Sequence, residues 1–428
     1  MTFRGYVRSL LTRVAGVIMG IPVPYHLAAI LLVAFAVRTC VWYRNWTGLI
    51  RHGDGYLFMA KAIADGNWDQ YLSHGRFLQP VYSLWLAPMY LFNWQDSVYV
   101  FCLHQAFVAG TILFIYLSAG KVYGRLCALC ASLVYAVQPQ IAFWFNWALA
   151  DAAFHFHLAI LMYCSILAWK KTTPLSVAGL LAAGAALSLV RPEGVMVTIA
   201  AVFVFIIRKA SDWRQRPLTV AAAMVFLSIS FIAVSGWYVQ SHEHVKEKIL
   251  SHMHVGCGLY IGTLPTPTNP RDVDKVLVSL FADGGKLSKE DPKGRNHWYW
   301  ASQIGLRRLQ DDPLKVAGIV ALRYVAVMIP STFRDGLMSW RYVIIDRVFS
   351  TYMLLGTLFA LFLKNDQRKI TIGLAFMSFS IFTMVSLFQR EWDVRVQLAA
   401  YTLLLGPATF GWFLTIRYIL NLEMTTEN

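Results

Sequence analysis

The residues most able to do chemistry are acids and arginines placed where apolar runs end. Asp54 stands between two glycines in RHGDGYLFMAKAIADGNW. A carboxylate at a membrane face, partly shielded from water, acquires a raised pKa and can act as a base toward a hydroxyl. Gly53 and Gly55 leave room for a substrate or a second backbone to approach. The competing role for Asp54 is to cap the helix that follows, in which Tyr56, Met59, Ala60 and Ile63 recur at helical spacing. Other charges gather at comparable boundaries: Asp151 in FNWALADAAFHFH, Arg191 and Glu193 in LVRPEGV, Arg390, Glu391, Asp393 and Arg395 in FQREWDVRV, and Arg76 in HGRFLQP. Charges that bound apolar spans are costly unless paired or used. Singly, each reads as an interfacial anchor. As a set on one face, they read as a site for an anionic headgroup.

The composition says what kind of scaffold must position them. Of 428 residues, 57% are hydrophobic and only 14% charged, against about 25% charged in a soluble domain. Mean hydropathy is +0.51. These values exclude a soluble enzyme, a disordered chain and a fibrous chain. Apolar runs near 25–43, 97–119, 126–145, 148–169, 174–190, 193–207, 217–238, 345–363, 370–388 and 396–418 approach the roughly 20 residues a membrane helix needs. The reading is an all-α polytopic membrane protein with about ten spans. The runs 80–93 and 314–330 are interrupted by Pro80 and Pro88, and by Lys315 and Arg323, and are expected to lie in the interface.

Basic residues set the expected orientation. Arg4, Arg8 and Arg13, then Lys121 and Arg125, Lys170 and Lys171, Arg208 to Arg216, and Lys364 to Lys369 all share one side if both termini are cytoplasmic. Lys and Arg outnumber Asp and Glu by 38 to 23, a net charge of +15. The excess suits anionic lipids, and because it punctuates apolar spans it does not form the continuous stripe of a nucleic-acid binder. Three regions follow: an N-terminal membrane module, 1–238, with a first outer loop at 44–96; an extracytoplasmic loop with interfacial helices, 239–344; and C-terminal membrane helices, 345–428. The first apolar run continues to Trp42 and is read as a span in place of a cleaved signal.

Other chemistries find little support. There is no G-x-x-x-x-G-K-[ST] and no G-x-S-x-G, and GCGLYIG (256–262) follows no βαβ pattern. HEHVK is not H-E-x-x-H, so the histidines of SHEHVKEKILSHMH make a poor zinc site. His155 and His157, two apart in an apolar run, should point to different faces, one of them inward. The C-x-x-C of Cys127 and Cys130 lies in LCALCASL and reads as helix packing.

The order of these features resembles the GT-C membrane glycosyltransferases, and within them the protein O-mannosyltransferases and lipid A aminoarabinose transferases. The likeness rests on a basic N-terminal tail, one span, DGYLFMAKAIADG (54–66), PVYSLWLAP (80–88), the acid Asp151 after the third span, R-P-E-G at 191–194, and arginines before the last span. The resemblance implies a GT-C-type helical bundle, a polyprenyl-phosphate-sugar donor used in the outer leaflet, and inversion at the anomeric carbon. It also implies that Asp54 is the catalytic first-loop acid and Asp151 the second acid. A phosphate leaving group needs cations more than a strong general acid, and Arg76, Arg191, Arg390 and Arg395 are the candidates. Tyr56, His74, Gln79 and Glu193 are expected in the substrate pocket; Gln79 stands where the aminoarabinose transferases carry lysine. The acceptor would be a lipid, a glycan or a protein, in a membrane read as a bacterial inner membrane with the site facing outward. No metal ligands are assigned, and Mg²⁺ or Mn²⁺ at the outer acids is left open. The alternatives are a transporter or flippase of an anionic lipid-linked substrate, and a glycan polymerase or ligase.

Overall fold

A computed structural model describes residues 3–44, 55–67, 80–94, 96–145, 148–191, 193–209, 297–328, 340–362, 366–388 and 394–420. These residues form helices joined by turns, with no strand among them. The basic tail is itself a helix, α1 (Phe3–Gly20), separated from α2 (Val23–Arg44) by Ile21 and Pro22. The guanidinium of Arg125 donates to the carbonyls of Met19 (3.1 Å) and Ile21, which satisfies groups that a helix end leaves unpaired.

Two short helices follow, α3 (Tyr56–Ala64) and α4 (Pro80–Leu91), and they pack on each other. Then come α5 (Asp96–Tyr123), α6 (Arg125–Val137), α7 (Pro139–Trp144), α8 (Asp151–Lys170), α9 (Pro174–Ser188) and α10 (Glu193–Lys209). The later part holds α11 (His297–Asp311), α12 (Pro313–Met328), α13 (Trp340–Leu361), α14 (Asp366–Phe388) and α15 (Val394–Leu420). Local signals explain several starts. Thr173 and Ser176 form a capping box ahead of α9, and the Asp312 side chain accepts from the Lys315 backbone N–H (3.0 Å) at the start of α12.

Four helical segments among the described residues are long and apolar enough to cross a membrane: Val23–Tyr43, Val98–Tyr123, Asp151–Lys170 and Leu398–Ile419. Shorter apolar helices lie at Arg125–Val137, Pro174–Ser188 and Arg347–Leu361. This is an all-helical fold with the character of an integral membrane protein. The expected span 217–238 lies outside the described residues. The expected single span 126–145 is two helices, α6 and α7, broken at Gln138, whose backbone is extended. The reason is Pro139, whose ring disfavours helical geometry in the residue before it.

The centre of the bundle is α8, which touches α5, α9, α10 and α15. Of its membrane-length window 72% is buried, against 22% for α2. Basic residues cluster at one end of the bundle, where Lys170 donates to the carbonyl of Lys121 and Arg125 approaches His26. Asp151 is at the other end of α8, about 30 Å away at 1.5 Å per residue.

Candidate active site

Asp151 is the first residue of α8 and Glu193 the first of α10. Both carboxylates therefore sit at helix N-termini, where the backbone dipoles favour negative charge. Both are buried. Between them lies Arg191. Its Nη1 donates to Asp151 Oδ1 (2.5 Å), while Nε and Nη2 donate to the two oxygens of Glu193 (3.3 and 3.0 Å). Its guanidinium also lies over the Phe154 ring, 5.7 Å from the centroid. One cation shared by two carboxylates leaves the trio with a net charge of −1.

The turn that aims Arg191 is built by close packing. The Arg191 and Val190 N–H groups both donate to the Leu187 carbonyl, and Gly194 N–H returns to the Arg191 carbonyl (3.0 Å). A Cβ on Gly194 would collide with the Leu187 carbonyl, so only glycine fits. Thr198 Oγ1 then links α10 to α9 at the Gly184 carbonyl (3.0 Å), while also reaching the Gly194 carbonyl of its own helix (2.7 Å).

Helix α4 docks onto this end of the bundle. Val81 N–H donates to the Leu189 carbonyl (3.2 Å), two residues before Arg191. Tyr82, wholly buried, bonds His104 Nε2 (2.8 Å), and His104 Nδ1 bonds the Phe145 carbonyl (2.5 Å), six residues before Asp151. Burial, followed by Tyr56, Asp151 and Tyr99, pushes the Tyr82 hydroxyl well above its ordinary pKa, so it keeps its hydrogen. Tyr56 packs edge-on against Tyr82, with centroids 5.0 Å apart, and its carbonyl accepts from Ser83 Oγ (3.5 Å).

Of the expected site residues, the structure brings together Asp151, Arg191 and Glu193, with Tyr56 held under α4. Asp54, His74, Arg76, Gln79 and Arg390 lie outside the described residues, and Arg395 is the second residue of α15. The position expected for a capping side chain ahead of α3 is held by Gly55, in the left-handed region at φ 91°. Both expected histidine faces of α8 prove to be interior. His155 bonds Tyr135 and Thr402, and His157 bonds the Ala153 carbonyl of its own helix. The histidines of 242–254 lie outside the described residues. Cys127 is buried and approaches the Gly406 carbonyl, as packing requires. Among the described residues no three His, Cys, Asp or Glu side chains form a metal-ligating group.

Arg38 belongs to no motif in the sequence. This residue of α2 is 1% exposed, donates to Gln105 Oε1 (3.0 Å) and the Phe145 carbonyl (3.4 Å), and lies 5.5 Å from the Phe145 ring centroid. The available signal was plain: between Tyr25 and Tyr43 it is the one charged residue in an apolar run, and such a charge persists only where it is used. The same logic points to His104 and Gln105 in the next run.

The stretch from α4 to α10 thus carries Tyr82, His104 and the whole acid–arginine trio. Residues 79–237 match the family model of the dolichyl-phosphate-mannose-protein mannosyltransferases. The match agrees with the resemblance drawn from the motifs, and it encloses Asp151, Arg191 and Glu193 but neither Asp54 nor the arginines near the last helix. No curated protein matches the sequence.

Proposed function

We propose that this protein is a membrane glycosyltransferase that moves a sugar from a polyprenyl-phosphate donor to an acceptor hydroxyl, with inversion, at the outer face. The observation that carries the reading is the Asp151–Arg191–Glu193 trio, with both carboxylates buried, at the helix N-termini of α8 and α10, inside the stretch that matches the mannosyltransferase family. In this mechanism the acceptor oxygen attacks the anomeric carbon while the bond from that carbon to the phosphate oxygen breaks. Asp54 takes the hydroxyl proton, and polyprenyl phosphate departs with the bonding pair. Asp151 orients the acceptor and faces the positive charge that develops on the sugar. Arg191, already shared by two carboxylates, holds Asp151 in place. Arg76, Arg390 and Arg395 then carry the growing charge of the phosphate.

The test is reconstitution of the purified protein in vesicles with a radiolabelled polyprenyl-phosphate sugar. Glycosyl transfer releases free polyprenyl phosphate, whereas a flippase moves the labelled lipid across the bilayer without cleaving it. Asp54→Asn should abolish transfer while expression and melting temperature stay those of the parent. Near-normal turnover in that variant would refute Asp54 as the base.

A further inference from the structure

The hydrogen bonds around Phe145 form a directed chain. A carbonyl can only accept, so His104 Nδ1 carries the hydrogen that meets the Phe145 oxygen. In the neutral ring Nε2 must then accept, and the Tyr82 O–H is its donor. One end of the chain is α4, which also grips the Leu189 carbonyl just before Arg191. The other end is the carbonyl that closes α7 and opens the buried run Ala148, Leu149, Ala150 leading to Asp151. Arg38 reaches the same carbonyl from α2. Helix α4 therefore touches the segment before Arg191 directly, through the Val81 N–H, and reaches Phe145 by way of His104 on α5. The two side chains of this relay, Tyr82 and His104, are both fully buried.

We propose that Tyr82 and His104 are positioning residues that hold Asp151 in register with α4 through the Phe145 carbonyl. The proposal rests on the glycosyl-transfer reading for its kinetic consequence, but its structural consequence stands apart from it. Removing the Tyr82 hydroxyl leaves His104 Nε2 buried without a donor, which loosens its grip on Phe145 and lets the run 148–150 ahead of Asp151 move. The acceptor-orienting carboxylate is then misplaced without any loss of donor binding.

Four variants of the full-length chain in lipid nanodiscs test this: Tyr82→Phe, His104→Leu, His104→Gln and the Tyr82→Phe/His104→Leu pair. Glutamine can donate its amide N–H to Phe145 and accept from Tyr82 with its amide oxygen, so it conserves both bonds. Amide hydrogen exchange of residues 148–154 should speed up about tenfold in Tyr82→Phe and His104→Leu, the size expected for one lost buried hydrogen bond. It should stay near the parent in His104→Gln, and the pair should exchange no faster than His104→Leu alone. In the transfer assay kcat should fall about tenfold in the same two single variants, with the donor KM unchanged. The proposal is overturned if exchange at 148–154 is unchanged in Tyr82→Phe. It is equally overturned if His104→Gln behaves like His104→Leu, which would mean that ring packing alone matters. A parent protein that transfers no sugar while the exchange pattern holds would sink the enzyme reading and leave the positioning chain standing.

Discussion

Two arginines, Arg38 buried and Arg191 partly buried, share this end of the bundle, and their surroundings predict opposite responses to removal. Arg191 bridges two buried carboxylates. Arg191→Met removes the cation that bridges Asp151 and Glu193 and should cost about 3 kcal/mol or more. A melting temperature lowered by less than that of an ordinary surface variant would show that the carboxylates find another cation. Arg38, by contrast, has neutral partners among the described residues, Gln105 and the Phe145 carbonyl. Arg38→Met removes a desolvated charge and strands no opposite one, so stability should change by no more than about 1 kcal/mol. A large loss on melting would instead reveal an anionic partner. In the sequence Arg38 stands inside an apolar run and Arg191 between two, and neither position names a partner. What separates them is which side chains the fold sets beside them.

Helix against helix, the tightest described crossing is between α13 and α15. A Cβ on Gly411 would collide with the Gly356 carbonyl and meet the Ala360 backbone nitrogen, and a Cβ on Gly356 would strike the Ala408 carbonyl. Small residues on both helices let the backbones meet, as membrane helices commonly require because lipid supplies no hydrophobic drive between them. Gly411→Ala should therefore destabilise by about 1–3 kcal/mol through overpacking. Gly318→Ala on α12, where nothing lies within 4 Å, should be neutral or slightly stabilising, since alanine is the better helix former. Equal melting temperatures for the two variants would mean that the crossing is looser than described. At this scale much was legible in advance. The helices α2, α5, α8, α9, α10, α14 and α15 fall within a few residues of the apolar runs, because burial in lipid demands length and hydropathy that any sequence displays. The break between α6 and α7 was less visible. Its run stays apolar through Pro139, and hydropathy is blind to a backbone restriction.

For the molecule as a whole, sidedness is the decisive property. Lys121, Arg125, Lys170 and Lys171 occupy one end of the bundle and Asp151, Arg191 and Glu193 the other. If the positive-inside rule holds, a cysteine placed at Lys171 should react with a membrane-impermeant reagent only from the cytoplasmic side, and one at Asn67 only from outside, in a chain whose native cysteines are replaced. Reaction of the Asn67 cysteine from the cytoplasmic side would remove the outward-facing site. The sequence by itself determined the class of molecule, the approximate places of its helices, and the acids and arginines at their ends. Those features depend on local composition and on spacing along one chain. Only the tertiary structure decided that Arg191 bridges Asp151 to Glu193, and that Tyr82, His104 and Phe145 connect α4 to the start of α8. Residues 22 to 41 apart in sequence meet through helix packing, and no periodicity within a single run records which helices become neighbours.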